Sequence, residues 1–218
     1  MKKKTCVIFL RRNCNYSNNF LDFCKKKLVI YKVFYDDIKS LTPFKIVDFI
    51  FCFRSKKILS KAILKKANFA SINFHPGTPK YRGVGCLNYA LYNNETIYGT
   101  TAHLINEKID SGKILDVQTF KINKDQDIET VLNKTYKLML FQAKKIITQL
   151  IKKPSSVNNF QTKYTWSKII KKRKDLEKFY QINIKSNKKE FLKKIRATKT
   201  KNFKPFIKLF GLKFILED

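Results

Sequence analysis

Four short runs of almost uninterrupted apolar residues constrain this 218-residue chain more than anything else in it. They are Thr5 to Leu10 (TCVIFL), Leu28 to Tyr35 (LVIYKVFY), Val47 to Phe53 (VDFIFCF) and Ala70 to His75, all rich in β-branched and aromatic residues. Runs of this length without polar alternation suit strands buried on both faces. Between the third and the fourth, Lys56 to Lys66 (KKILSKAILKK) repeats Ile58, Leu59, Ala62 and Ile63 at helical spacing. Strand–helix–strand alternation predicts a parallel α/β sheet with helices on its faces. Two more strands are expected over Gly99 to Ile105 and Lys113 to Phe120. Ile128, Val131, Leu132, Leu138, Met139, Ile146, Ile147 and Leu150 then form one apolar stripe. It predicts a long helix, capped by Asp125 or Asp127 and stopped at Pro154.

The polar segment Lys152 to Asn159 (KKPSSVNN) suggests a boundary, dividing a unit over 1–153 from a small appendage over 154–218. From Ile151 onward there are 20 Lys and Arg against 5 Asp and Glu, against 27 and 11 before it, so the tail is about twice as basic per residue. A helix across Asn187 to Ala197 and a terminal β-hairpin around Gly211 are expected there.

The formal charge is +31, from 47 Lys and Arg against 16 Asp and Glu. Such an excess can serve a polyanionic partner. Only six of the cations are arginine (Arg11, Arg12, Arg54, Arg82, Arg173 and Arg196), and Asn, Ile and Phe are abundant, as an A+T-rich coding sequence would produce. Arginine is the better phosphate fork, so a surface shaped for phosphate should use more of it. The expectation is therefore lysines spread over the surface, no arginine-rich groove, and only weak, salt-sensitive binding to nucleic acid.

No apolar run approaches the ~18 residues of a membrane span. The apolar stretch near the N-terminus is short, is followed by Arg11-Arg12 and lacks a small-residue cleavage site, so a cytoplasmic protein is expected. The five cysteines (Cys6, Cys14, Cys24, Cys52 and Cys86) show no metal-ligand spacing and are expected as buried reduced thiols.

Unusual residues crowd between Ser71 and Gly112. Both histidines, His75 and His103, lie there with five of the six glycines. Asn73 and His75 are two apart, so on a strand they share a face. They would stand at a strand's C-terminal end, where open α/β sheets place ligands. His75-Pro76-Gly77-Thr78-Pro79 then forces a turn, and Ile109-Asp110-Ser111-Gly112 forms another. A lone histidine there would be a structural one; the polar pair with its rigid loop points to a site.

The stretch SINFHPGTPKYRGVGCLNYALYNNETIYGTTAHLINEKIDSGKIL, Ser71 to Leu115, resembles the formyltransferases that use 10-formyltetrahydrofolate. The elements are Asn-x-His, a proline loop ending in Tyr-Arg-Gly, Gly-x-Thr-x-His and Asp-x-Gly, in that order. The resemblance implies a Rossmann-like fold, mostly parallel, plus a small basic C-terminal element. It implies Asn73, His75 and Asp110 as the catalytic trio, and Lys57, Ile58, Leu59 and His103 around the folate. It also implies Pro76, Gly77, Thr78, Tyr81 and Arg82 beside the amine substrate. No metal is expected. The chemistry agrees: Asn73 can donate to a developing oxyanion, His75 can move a proton or stabilise that charge, and Asp110 can raise the basicity of His75.

The proline loop is one residue shorter than the usual His-x-Ser-Leu-Leu-Pro, which resembles the sugar-type members. Arg11 to Asn19 replaces the glycine-rich loop many relatives carry after the first strand. The leading expectation is an N-formyltransferase for an amino sugar on a nucleotide. Open alternatives are methionyl-tRNA formyltransferase, for which the tail looks short, glycinamide ribonucleotide formyltransferase, a formyltetrahydrofolate hydrolase, and a non-enzymatic basic nucleic-acid-binding module. The tail either packs on the main body or mediates a homodimer.

Overall fold

The structure, a computed structural model, describes residues 2–37, 42–201 and 203–217. The apolar runs become β1 (Thr5–Leu10), β2 (Val29–Tyr35), β3 (Val47–Phe53) and β4 (Ala67–His75). With β6 (Ile97–Leu104) and β7 (Ile114–Lys121) they form one six-stranded sheet in the order β2-β1-β3-β4-β6-β7. The first four pair in parallel; β6 runs antiparallel to β4 and β7 antiparallel to β6. Strand order reverses beside β1, the arrangement that opens a crevice beyond the strands' carboxyl ends.

One face of the sheet is covered by α1 (Asn15–Lys27) and α4 (Ile128–Lys152). Phe20, Leu21 and Cys24 of α1 and Met139, Ala143, Ile146, Ile147 and Leu150 of α4 meet Ile8, Phe51, Phe53 and Phe74 in a continuous core. Burying each large side chain here stabilises the fold by ~1.5–3 kcal/mol. Asp127 caps α4 by accepting the Thr130 N–H at 2.7 Å. The helix ends at Lys152, two residues before Pro154 opens a 3₁₀ turn.

The other face is covered more thinly. Val7, Phe9, Ile50 and Cys52 pack under Phe44, Leu59, Ile63 and Leu64, with only the one-turn α2 (Lys61–Leu64) among them. The helix expected over Lys56 to Lys66 is thus shorter. Its first half is not helical: Asp36 accepts the Lys56 N–H at 2.8 Å and Ser55 Oγ accepts the Lys57 N–H at 3.1 Å, side-chain bonds in place of a helical ladder. The expected loop after β1 is shorter too, because α1 already begins at Asn15.

The small β5 (Arg82–Gly83) pairs with β8 (Ile170–Lys171), and α3 (Cys86–Tyr92) packs against α6 (Lys188–Thr198). α5 (Arg173–Phe179) lies between β8 and α6 in the chain. Asn187 caps α6 by accepting the Glu190 N–H at 2.9 Å. Arg196 donates to the carbonyls of Gln126 and Asn123, tying that helix to the start of α4. The hairpin of β9 (Phe206–Leu209) and β10 (Leu212–Ile215) turns at Phe210-Gly211, both with positive φ (49° and 79°), as a tight two-residue turn requires. Among the described residues no helix is long and apolar enough to cross a membrane. All five cysteines are free; four are buried and Cys14 is partly exposed.

Candidate active site

β4 ends at His75 because Pro76 has no N–H to continue the ladder. Asn73 pairs with Cys52 on one side and His103 on the other, so all three side chains share the thinly covered face. A register shift in the β6–β7 pair leaves Leu115 of β7 unpaired beside Ala102 and His103. The loop after His75 is held from below: Tyr98 donates its hydroxyl to the Pro76 carbonyl and Thr101 to that of Gly77, at 2.8 and 2.7 Å. A side chain at Gly77 would put its Cβ 2.7 Å from His75 Nε2, so the imidazole can sit here only against glycine.

Asp110 arrives on the loop between β6 and β7 with φ 43°, a left-handed backbone that costs a non-glycine residue about 1–3 kcal/mol. Its carboxylate lies 3.4 Å from His75 Nδ1 and 3.4 Å from His103 Nε2, and it accepts the Gly83 N–H at 2.9 Å. Gly83 has φ 86°, and a Cβ there would stand 2.1 Å from the Lys171 carbonyl oxygen. His75 Nε2–H donates to the Tyr81 carbonyl at 3.0 Å. His103 donates from Nδ1 to the Leu104 carbonyl at 2.7 Å, and its Nε2 lies between the Asn73 amide nitrogen, at 3.0 Å, and the Asp110 carboxylate.

Burial opposes charge on His75, but the Asp110 carboxylate and the Cys86 sulfur outweigh it and raise the imidazole to about 9. Burial likewise opposes charge on Asp110, yet His75, His103 and the Gly83 N–H hold its carboxyl well below the usual range. The group at neutral pH is therefore an imidazolium–carboxylate pair. Since the folded His75 value lies above its unfolded one, the stabilisation it contributes is complete below about pH 6.5 and is lost as pH rises through about 9.

Over this pair sits Trp166, the chain's only tryptophan. Its ring lies edge-on to His75 and His103, with centroids 5.8 and 5.0 Å away, and its Nε1–H donates to the Gly112 carbonyl at 2.8 Å. A protonated imidazole quenches indole emission, so Trp166 fluorescence should rise as pH rises through about 9. A flat pH profile would contradict the charged pair.

Tyr81 and Arg82 do not face open space. Tyr81 is buried and donates its hydroxyl to Glu95 at 2.8 Å. Arg82, also buried, donates to the carbonyls of Ser167 and Ile109 at 2.7 and 2.8 Å, clasping the Trp166 segment to the Asp110 loop. Pro76 reaches the wall of the large cleft described below, and Thr78 accepts the Tyr81 N–H in the loop's turn. Leu59 is 2% exposed, part of the core rather than a pocket wall, while Ile58 beside it is 68% exposed and Lys57 is partly exposed. Enlarging Leu59 to Trp should then overpack the core and destabilise the protein by about 1–3 kcal/mol. An unchanged denaturation midpoint would contradict that placement.

A cleft of about 970 Å³ begins at Pro76, Gly83 and Cys86 and runs past α4 and α5. Arg11, Arg54 and Arg173 line it, half of the chain's arginines, together with Lys201, Lys204, Lys213 and the carboxylates of Glu129, Glu177 and Glu217. Arg54, with φ 58°, lays its guanidinium 3.6 Å from the centroid of the Tyr136 ring, which also lines the cleft. These residues come from four separate segments, and no local motif announces them. Among the described residues no His, Cys, Asp and Glu cluster could hold a metal ion.

Comparison with known proteins follows the same outline. A 4-N formyltransferase from Francisella tularensis superposes with a TM-score of 0.77 at 18% identity, over 98% of this chain and 96% of that one. An N-formyltransferase from Helicobacter canadensis, solved with folinic acid and dTDP-3-aminofucose, gives 0.71 at 22% identity, over 96% and 85%. The bifunctional polymyxin resistance protein ArnA of Wigglesworthia glossinidia brevipalpis is 33% identical over 144 residues, 61% of this chain and 22% of its own length. A methionyl-tRNA formyltransferase of Thermodesulfovibrio yellowstonii is 35% identical over 115 residues, 52% of this chain and 36% of its own. The chain thus spans roughly a fifth to a third of these curated relatives. The formyl transferase family model matches residues 12–151, from the loop after β1 to the end of α4 and through every residue of the buried pair, and the chain belongs to that family.

Proposed function

We propose that the protein transfers a formyl group from 10-formyltetrahydrofolate to the primary amine of a nucleotide-linked amino sugar. The observation that carries this reading is the His75–Asp110 pair, with Asn73 and His103 beside it, at the head of an arginine-lined cleft. The folate fits the thinly covered face: Asn73 is the least buried of the trio, and Ile58, after β3, and Ile109, beside Asp110, are both exposed and apolar. Such a wall suits a flat pterin.

The folate supplies an electrophilic formyl carbon whose oxygen gains negative charge as the amine adds. The Asn73 amide donates to that oxygen, and the His75 imidazolium adds positive charge beside it. Asp110 keeps His75 charged and oriented, and the pair hands on the proton the amine releases. In this reading residues 1–153 form the catalytic unit, and the appendage from 154 contributes Trp166 and Arg173 to it.

Arg11, Arg54 and Arg173 suit a diphosphate, because guanidinium groups match phosphate oxygens in pairs. The Helicobacter canadensis enzyme's folinic acid and dTDP-3-aminofucose support pairing a folate with a nucleotide sugar on this fold. The named relatives among methionyl-tRNA formyltransferases support the second reading, transfer to a charged tRNA. Calorimetry with dTDP and UDP separates the two. Binding that weakens at least tenfold in an Arg54→Ala, Arg173→Ala double variant supports the sugar nucleotide; no binding of either nucleotide by the wild type counts against it.

A further inference from the structure

The trio can activate water as readily as an amine. Hydrolysis would break the bond from the formyl carbon to the folate nitrogen, join a water oxygen to that carbon, release formate and a proton, and return a proton to the nitrogen. Something in the fold must decide between the two outcomes.

We propose that Trp166 makes that decision, as a cover that keeps water from the His75–Asp110–His103 group so that the formyl carbon waits for an amine. The inference rests on the formyl-transfer reading. The indole is partly exposed, while the imidazoles beneath it are 4% and 2% exposed, so the ring is the layer between them and solvent. It is fixed on both sides. Nε1 is bonded to Gly112, two residues from Asp110. The next residue, Ser167, donates its N–H to the Pro79 carbonyl and accepts from Arg82. The cover is thus locked to the loops that carry His75 and Asp110. Upstream, residues 161–165 run without helix or strand and are mostly exposed, so the indole ends an open stretch of chain. Removing it would leave room for waters of ~30 Å³ each next to polar groups able to hold them. Excluding water also strengthens the electrostatic action of the pair on the formyl oxygen.

The test follows formate and tetrahydrofolate released from 10-formyltetrahydrofolate by the full chain, with and without dTDP-3-aminofucose. Trp166→Ala is expected to raise formate per tetrahydrofolate at least tenfold, and Trp166→Phe, which keeps an aromatic cover, to recover most of the loss. Should the alanine variant not fold, Trp166→Leu decides, with a rise of about threefold or more. A tryptophan that only props up the fold would lower stability and tetrahydrofolate release together and leave the formate fraction unchanged; that result overturns the proposal. Amine formylation by the wild type with an unchanged formate fraction in the variants removes this role and leaves the formyl-transfer reading standing. Formate release by the variants that needs His75, without amine formylation by the wild type, removes the transfer reading and keeps the cover. A donor consumed by none of the proteins removes both.

Discussion

Replacing His75 by alanine, or Asp110 by asparagine, should lower formyl transfer by ~10²–10⁴-fold, the usual loss when a positioned acid or base is removed. The two effects should not add. Asp110 acts through His75, across 3.4 Å, with His103 on its other side, so the double variant should resemble the worse single one. His75→Ala should remain folded, because Asp110 keeps the Gly83 N–H and stays next to His103. Circular dichroism and tetrahydrofolate release measured on the same preparations check this. Near-wild-type turnover in both single variants would take the pair out of the mechanism.

Arg82→Ala should be the most damaging substitution outside that pair, and through stability rather than substrate affinity. The guanidinium is buried and satisfies two carbonyls, those of Ile109 and Ser167, on two different segments. A hydrogen bond from a charged group contributes about 1.5–3 kcal/mol, and the carbonyls left behind would be unsatisfied. A loss on the order of 3 kcal/mol is expected, with kcat falling as Asp110 and Trp166 lose their common anchor. If instead Arg82→Ala melts like the wild type and only KM rises, Arg82 contacts substrate, as the resemblance alone implies.

The parts of this protein that sequence revealed are those set by local pattern. The four apolar runs read as strands and they are β1 to β4, but only β1 and β3 are buried on both faces along their length; β2, read the same way, is the edge strand and leaves Val29 and Tyr31 exposed. The stripe from Ile128 to Leu150 has one period and one cap, and it is one helix. Asn73, His75 and Asp110 stood out because a proline, two tight loops and both histidines mark them. What was hidden depends on long-range closure. Trp166 reaches its place through a bond to a residue 54 positions earlier, with no periodic segment around it. Its one local signal was being the only tryptophan. Arg11, Arg54 and Arg173 converge only after the sheet is assembled, and a count of arginines could not show that half of them share one cleft. Ile58 and Leu59 differ by one residue in sequence and by a whole environment in the structure. The Lys56 and Lys57 N–H groups go to the side chains of Asp36 and Ser55 instead of a helical ladder, and the segment buries Leu59 while leaving Ile58 outside.

The measurement closest to the central claim is a product analysis by mass spectrometry. The protein is incubated with 10-formyltetrahydrofolate and, in parallel, with a panel of dTDP- and UDP-linked amino sugars or with methionylated initiator tRNA, at an ionic strength of about 0.15 M where loose phosphate contacts are screened. The expected result is a formylated sugar nucleotide, formed with release of tetrahydrofolate and abolished by His75→Ala. Formylated methionyl-tRNA with every sugar nucleotide unchanged would contradict the account.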